Sequence, residues 1–304
     1  MVFLFAASCD DGDIVEVNFE FEGDIERCDE TSVNYLLYDI NQNNTESFTL
    51  LFPVSGNRII FEPEINGQLI EREINNSTRF NYRVYNGNPE GLICSLLGDP
   101  GTTIVDDYEA APGALAIFIS TFEDDDGDGI PSDMEGRGGQ ADDGSYPDAE
   151  DFDGDDLPNY RDPDDDNDNV LTEDEIDFDE NDILIEQDTD TDGIPDWLDE
   201  DDDGDGILTI DEDEDGDTNL FDDFDPNSEN INIPRFRDSL AMVSFERDSL
   251  RTVQFSRNVN VGVVIENVSI EILQTTEIDM GVYEQPPLIY LYNQNTGELE
   301  LRDN

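Results

Sequence analysis

Asp188-Thr189-Asp190-Thr191-Asp192-Gly193-Ile194-Pro195-Asp196-Trp197-Leu198-Asp199 is the stretch from which the rest of the chain can be read. Carboxylates stand at positions one, three, five, nine and twelve, with a glycine at six and an aliphatic residue at seven. Two further copies are complete at positions one to seven: Asp124, Asp126, Asp128, Gly129 and Ile130, ending at Glu135, and Asp201, Asp203, Asp205, Gly206 and Ile207, ending at Glu212. Three more keep the register with changes. They run Asp151, Asp153, Asp155, Asp156, Leu157 to Asp162; Asp164, Asp166, Asp168, Asn169, Val170 to Glu175; and Asp177, Asp179, Asn181, Asp182, Ile183 to Asp188.

The substitutions carry information. Position six must turn the backbone sharply, and where glycine is missing the residues are Asp156, Asn169 and Asp182, the types that best tolerate a positive φ. A disordered acidic linker has no reason to keep that choice in register with an aliphatic residue. Carboxylates at one, three, five and twelve, with a backbone carbonyl at seven (Ile130, Leu157, Val170, Ile183, Ile194, Ile207), form an oxygen cage. Such a cage suits Ca²⁺, which takes six to eight oxygens at about 2.3–2.6 Å, better than Mg²⁺ with its strict octahedron and retained waters. Several structural Ca²⁺ ions are therefore expected. The copies at Asp124 and Asp201 satisfy a full EF-hand loop ending in Glu. Yet from Asp151 to Asp201 the copies start 13, 13, 11 and 13 residues apart, which leaves no room for flanking helices. Asp188 even serves as position twelve of one copy and position one of the next, so neighbouring sites would share ligands.

This spacing, clearest at Asp188–Asp199, resembles the thrombospondin type 3 repeat. The resemblance implies a chain wound around a string of calcium ions, with little regular secondary structure, over residues 123–225. Ser132, Thr172, Ile185 and Thr209 depart from the acidic ninth position that Asp196 shows, and a seventh candidate at Asp213, Asp215, Asp217 has Thr218 at the turn and Asn219 at position seven.

The charge follows the same boundary. The chain carries 80 Asp and Glu against 13 cations, every one an arginine, for a net charge of −67. Residues 123–225 hold 47 of the acids and only Arg137 and Arg161. A nucleic-acid partner, which needs a basic face, is excluded, as is docking on anionic lipid through a polybasic patch. The absence of histidine and lysine removes His-assisted nucleophiles, His-ligated zinc and Schiff-base chemistry. Residual negative charge favours the weak calcium affinities of extracellular modules, on the order of 10⁻⁴ to 10⁻³ M.

Both flanks read as β-structure, short apolar runs alternating with polar residues between Gly, Asn and Pro. Residues 10–122 are the first part of a sandwich-like domain, with strands expected at 14–21, 33–40, 47–54, 58–62, 69–74, 79–85, 92–95 and 114–122. Residues 226–304 add 241–245, 253–255, 259–266, 268–273, 278–283 and 288–292. The expected fold class is thus mainly β, an antiparallel β-sandwich-like domain with an inserted, largely irregular calcium-binding repeat rod. The late strands are expected to pack on or complete the first domain; two separate β-modules are the alternative. Cys28 and Cys94 are expected to pair as a disulfide.

Residues 1–9 end in Ala6-Ala7-Ser8-Cys9 after a short apolar stretch, resembling the end of a bacterial lipoprotein signal peptide, although no basic segment precedes it. That resemblance makes Cys9 a lipid anchor and its membrane contact the anchor alone. With the repeats, it resembles surface lipoproteins of Gram-negative bacteria. The functional expectation is a non-enzymatic, exported, outer-membrane calcium-binding lipoprotein that presents a β-domain for adhesion to a protein or glycan partner. A glycan-binding sandwich using Phe80, Tyr82, Tyr85, Tyr290 or Tyr292 is the alternative. A carboxylate hydrolase stands third, because 80 acids single out no pair.

Overall fold

The computed structural model describes residues 21–28, 33–95, 101–141, 144–181, 183–247, 249–270, 272–273 and 275–302. Cys9, the expected strand at 14–21 apart from Phe21, and Asp182 lie outside these residues. The chain is mainly β with antiparallel pairing and divides into two units. The first takes Met1–Phe61, Leu69–Ile119 and Val261–Tyr283; the second takes Glu62–Gln68, Ser120–Asn260 and Glu284–Asn304.

The first unit is built on alternation. Its strands are β1 (Glu26–Arg27), β2 (Asn34–Ile40), β3 (Glu46–Pro53), β4 (Gln68–Glu73), β5 (Arg79–Tyr85), β6 (Ile104–Glu109) and β7 (Leu115–Thr121). In β3, Phe48, Leu50 and Phe52 recur at the period of two that sends side chains to one face. Antiparallel register sets Leu37, Leu50 and Phe80 in one rung across β2, β3 and β5, and Tyr35 opposite Phe52. This sheet has the order β1-β2-β3-β5-β6. A second sheet has the order β12-β11-β7-β4, where β11 is Asn260–Glu266 and β12 is Glu277–Glu284. Val261, Val263 and Ile265 give β11 its buried face. The Phe52 and Phe118 rings, 5.0 Å apart, bring the two sheets together. Burying each such ring contributes about 1.5–3 kcal/mol. The Cys28–Cys94 disulfide forms, with Cα atoms 5.3 Å apart.

Several expected strands are not strands. Residues 58–62 open with a 3₁₀ turn, Arg58–Ile60, and residues 92–95 end a helical turn, Glu90–Ile93. Short apolar runs do not distinguish one tight turn from a strand. Residues 241–245 and the described part of 268–273 join no ladder. Conversely, β6 is a strand that the alternation does not predict, because Ile104-Val105-Asp106-Asp107-Tyr108-Glu109 is largely exposed, an edge strand with little hydrophobic signature.

The second unit holds the acidic stretch, a hairpin of β8 (Ile176–Phe178) and β9 (Leu184–Glu186), and a three-stranded sheet. That sheet pairs β13 (Leu288–Asn293) with both β10 (Thr252–Arg257) and β14 (Glu298–Arg302). The late flank therefore divides. β11 and β12 join strands of the first flank, while β10, β13 and β14 pack beside the acidic stretch, where Leu157 lies against the Phe255, Tyr290 and Tyr292 cluster.

Candidate metal centre

Each acidic loop is shaped first by hydrogen bonds among neighbours. The N–H of residue seven donates to the carboxylate of residue five in the loops starting at Asp124, Asp151, Asp164, Asp188, Asp201 and Asp213, at 2.6–2.9 Å. Position six has positive φ throughout: Gly129, Asp156, Asn169, Gly193, Gly206 and Thr218. The N–H of residue nine closes five of these loops by donating to the carbonyl just before position one, as from Ser132 to Glu123 and from Thr209 to Glu200. Residue nine then opens a single helical turn, seen at Asn159–Arg161, Thr172–Glu175, Asp196–Leu198 and Thr209–Glu212. In the loop at Asp164 it leads to Glu175, which meets Asp168; in the loop at Asp124, where no helical turn forms, Glu135 meets Asp128 all the same.

The carboxylates converge. Ligand oxygens of Asp124, Asp126 and Asp128 lie within 4.8 Å of one another, as do those of Asp164, Asp166 and Asp168 and those of Asp151, Asp153 and Asp155. Two more trios cross between loops: Asp128, Glu135 and Asp165, and Asp168, Glu175 and Asp202. The acids of the Asp124 and Asp164 loops and of the two crossing trios are buried, Asp124 only partly; Asp126 and Asp164 are 0% exposed and Glu135 and Glu175 are 1%, whereas Asp151 and Asp155 are exposed. Both oxygens of Asp126, Glu135 and Asp202, and one each of Asp128, Asp162, Asp164, Asp165, Asp166, Asp168, Asp203, Asp205 and Glu212, have no hydrogen-bond partner. A buried carboxylate without a partner carries a penalty of several kcal/mol, so native chains pair it or place it on a metal.

Burial, reinforced by neighbouring carboxylates, pushes Glu135 up to about 10, Asp202 to about 10, Asp162 to about 9 and Glu212 to about 9. Asp128 rises to about 8 and Asp203 to about 7 for the same reason, and Asp126, Asp165, Asp166, Asp168 and Glu175 are raised well above the usual carboxylate range. Ionising such groups at neutral pH requires a counter-cation. The donor set, all oxygen and no nitrogen or sulfur, fits a hard divalent ion.

Not every copy conforms. The stretch from Asp177 folds as the β8–β9 hairpin, with Asp177 opposite Ile185 and Phe178 opposite Leu184. Asp177, Asn181 and Ile183 are exposed, and the Asp179 carboxylate accepts the N–H groups of Asn181 and Ile183. The physical reason is that Ile176 and Leu184 anchor the hairpin to Ile130, Trp197 and Leu198, an apolar cluster a loop would leave unfilled. The loop at Asp188 is the more open kind, with Asp192 and Ile194 exposed; Asp199 lies part-buried at its end and donates nothing to the trios named above. Asp190 abuts the next loop, its carboxylate against Gly204.

Two features eluded the spacing argument. Position nine is a loop cap: Ser132, Asn159, Thr172, Asp196 and Thr209 each accept the N–H of position two. Asp196 spends both oxygens this way, taking the N–H and the hydroxyl of Thr189. Position two is itself an Asp wherever position nine is Ser or Thr, at Asp125, Asp165 and Asp202, and a Thr where position nine is Asp196. That exchange was visible in the sequence. What Asp165 and Asp202 face was not. Comparison with protein-family models, with curated proteins and with solved structures found no match for this chain.

Proposed function

We propose that this chain is a non-enzymatic surface lipoprotein whose thrombospondin type 3-like repeats are organised by structural Ca²⁺ ions and present the β-structured first unit for adhesion or for contact with another envelope protein. The observation that carries the reading is the convergence of buried carboxylate oxygens that have no hydrogen-bond partner. Ca²⁺ is favoured over Mg²⁺ because the loops offer many anionic oxygens in several overlapping groups and no fixed octahedron. Asp124, Asp126, Asp128 and Glu135, and their counterparts in the loops at Asp164 and Asp201, would hold the best-enclosed ions. The loops at Asp151 and Asp188, being more exposed, would bind more weakly. Cys9 would carry the lipid, with the bilayer contacted by that anchor alone; among the described residues no helix is long and apolar enough to cross a membrane.

Calorimetric calcium titration with parallel small-angle scattering tests the metal reading. Binding heat at or below millimolar calcium and expansion on chelation are expected. An athermal titration together with a radius of gyration indifferent to chelator would sink it. Surface labelling of intact cells, with and without Cys9→Ser, tests the anchor: loss of membrane association in the variant is expected, and retention would refute it.

A second reading, ligand binding, is favoured by one feature. A cleft of about 510 Å³ beside Asp124 is lined by Asn66, Glu123, Asn258 and Asn260. Its walls mix these polar groups with Phe122, and the aromatic side chains Phe80, Tyr82, Tyr85, Tyr290 and Tyr292 are all buried. A glycan array would separate this reading from the first.

A further inference from the structure

Position two of the repeat recurs at long range. Asp125, Asp165 and Asp202 have their N–H groups held by Ser132, Thr172 and Thr209, and one carboxylate oxygen of Asp125 and of Asp165 also accepts from the Ser132 or Thr172 hydroxyl. Asp165 meets Asp128 and Glu135, positions five and twelve of the loop starting at Asp124. Asp202 meets Asp168 and Glu175, the same two positions of the loop starting at Asp164. In each trio all three side chains are more than nine-tenths buried, and each has at least one oxygen with no hydrogen-bond partner. Asp202 and Glu135 have two. Three buried anionic groups aimed at one another demand a cation, and the donors come from segments distant in the chain.

Asp125 occupies the same position but meets a different group. Arg257, 4% exposed, donates from Nε to the Asp125 carbonyl at 2.6 Å, and its Nη2 lies 3.6 Å from Asp125 Oδ1. Its guanidinium lies 4.6 Å from the Phe122 ring centroid and 4.9 Å from that of Tyr290. Gly127 brings its loop so close to β10 that a Cβ there would fall 2.1 Å from the Ser256 carbonyl. Asp238, outside the repeats, is also buried, and its carboxylate accepts from Ser228 and Asn230.

We propose that Asp165 and Asp202 each complete a second kind of cation site, joining positions five and twelve of one loop to the loop beyond, and that the Arg257 guanidinium stands in for such a cation on Asp125 and ends the series. The inference rests on the reading that the repeats take a divalent cation. A trio of carboxylates calls for a divalent ion, whereas one carboxylate is matched by a single guanidinium, which is planar and suited to stacking between two rings. The bridging sites would serve as the long-range staples of the acidic stretch, a role that hydrophobic contacts fill elsewhere.

Calcium stoichiometry of the full chain, by native mass spectrometry or equilibrium dialysis, tests this with Asp165→Asn, Asp202→Asn and Arg257→Gln. Each Asn variant is expected to bind one ion fewer than the parent, and Arg257→Gln none fewer. Parent stoichiometry in both Asn variants would overturn the bridging sites, and an ion lost from Arg257→Gln would overturn the cap. Should an Asn variant not fold, calcium anomalous scattering from crystals of the parent answers the same question. Peaks among Asp128, Glu135 and Asp165 and among Asp168, Glu175 and Asp202, with none at Arg257, are expected; peaks confined to positions one, three and five would overturn the proposal. A parent that binds no calcium would refute the metal reading itself, a distinct outcome.

Discussion

Among the described residues, buried carboxylates behave differently according to what their oxygens meet. Asp238 is satisfied by hydroxyl and carboxamide donors and is held below the usual carboxylate range by Ser228 and Asn230 against the opposing effect of its surroundings. Asp125 meets a guanidinium. Asp39, in the first unit, accepts the Gly23 N–H, yet burial, with Asp24 and Glu22 nearby, pushes it up to about 6. Its folded-state pKa thus lies above the unfolded value of about 3.9. The folded state holds the proton more tightly, so this group's stabilisation is complete below about pH 4 and is lost as pH rises through about 6. Asp39→Asn should flatten that slope: the difference in unfolding free energy between parent and variant, followed by denaturant titration from pH 4 to 7, is expected to change in the variant's favour. A difference independent of pH would contradict the assignment.

At the scale of the element, the twelve-residue loop and the hairpin compete for the same acidic sequence. Six stretches keep the seven-to-five hydrogen bond, including the one at Asp213, whose Thr218 and Asn219 read poorly against the pattern. The stretch at Asp177 reads better yet pairs as a hairpin, because Ile176 and Leu184 have an apolar cluster to fill and its aspartates bond to nearby backbone instead. Asp177→Asn is therefore expected to leave calcium stoichiometry unchanged, while Glu135→Gln lowers it by at least one. Equal losses would show that the hairpin opens to bind metal. A helical turn from residue nine follows four of the loops, but Glu135 returns to Asp128 through a plain turn, so the turn is not what the return requires.

Across the whole molecule, the two units are stabilised by different physics. The first has two sheets facing across Phe52 and Phe118 and a disulfide, worth about 4 kcal/mol for a loop of this length. In the second, apolar clusters are small, such as Val170 with Leu220 and Phe236, and arginines stack on rings rather than pairing only with acids: Arg237 over Phe221 and Phe236, Arg235 over Phe245. That use suits a guanidinium and not an ammonium, consistent with a chain that has no lysine. Hydrogen exchange in calcium and in chelator should separate the two. Chelation is expected to strip protection from 123–225 while the amides of β2, β3 and β5 keep theirs, and reduction of Cys28–Cys94 to do the reverse. Uniform loss under both treatments would contradict this division.

The loops were legible from residue order because their shape is local: a positive φ at position six, an N–H from seven to five and a closing bond from nine all form within a dozen residues of Asp124, Asp164 or Asp201. The alternating cores of β2, β3 and β5 and the Cys28–Cys94 pair were legible for the same kind of reason, a period of two and an even count of cysteines left over. Tertiary structure alone decided the rest. Whether β10 and β13 pair beside the repeats or with the first sheets, whether Asp177 opens a loop or a hairpin, and which carboxylates Asp165, Asp202 and Asp125 face depend on surfaces formed by segments tens of residues apart. Spacing along the chain carries no record of those surfaces, because burial is a property of the assembled neighbours and not of the residue that is buried.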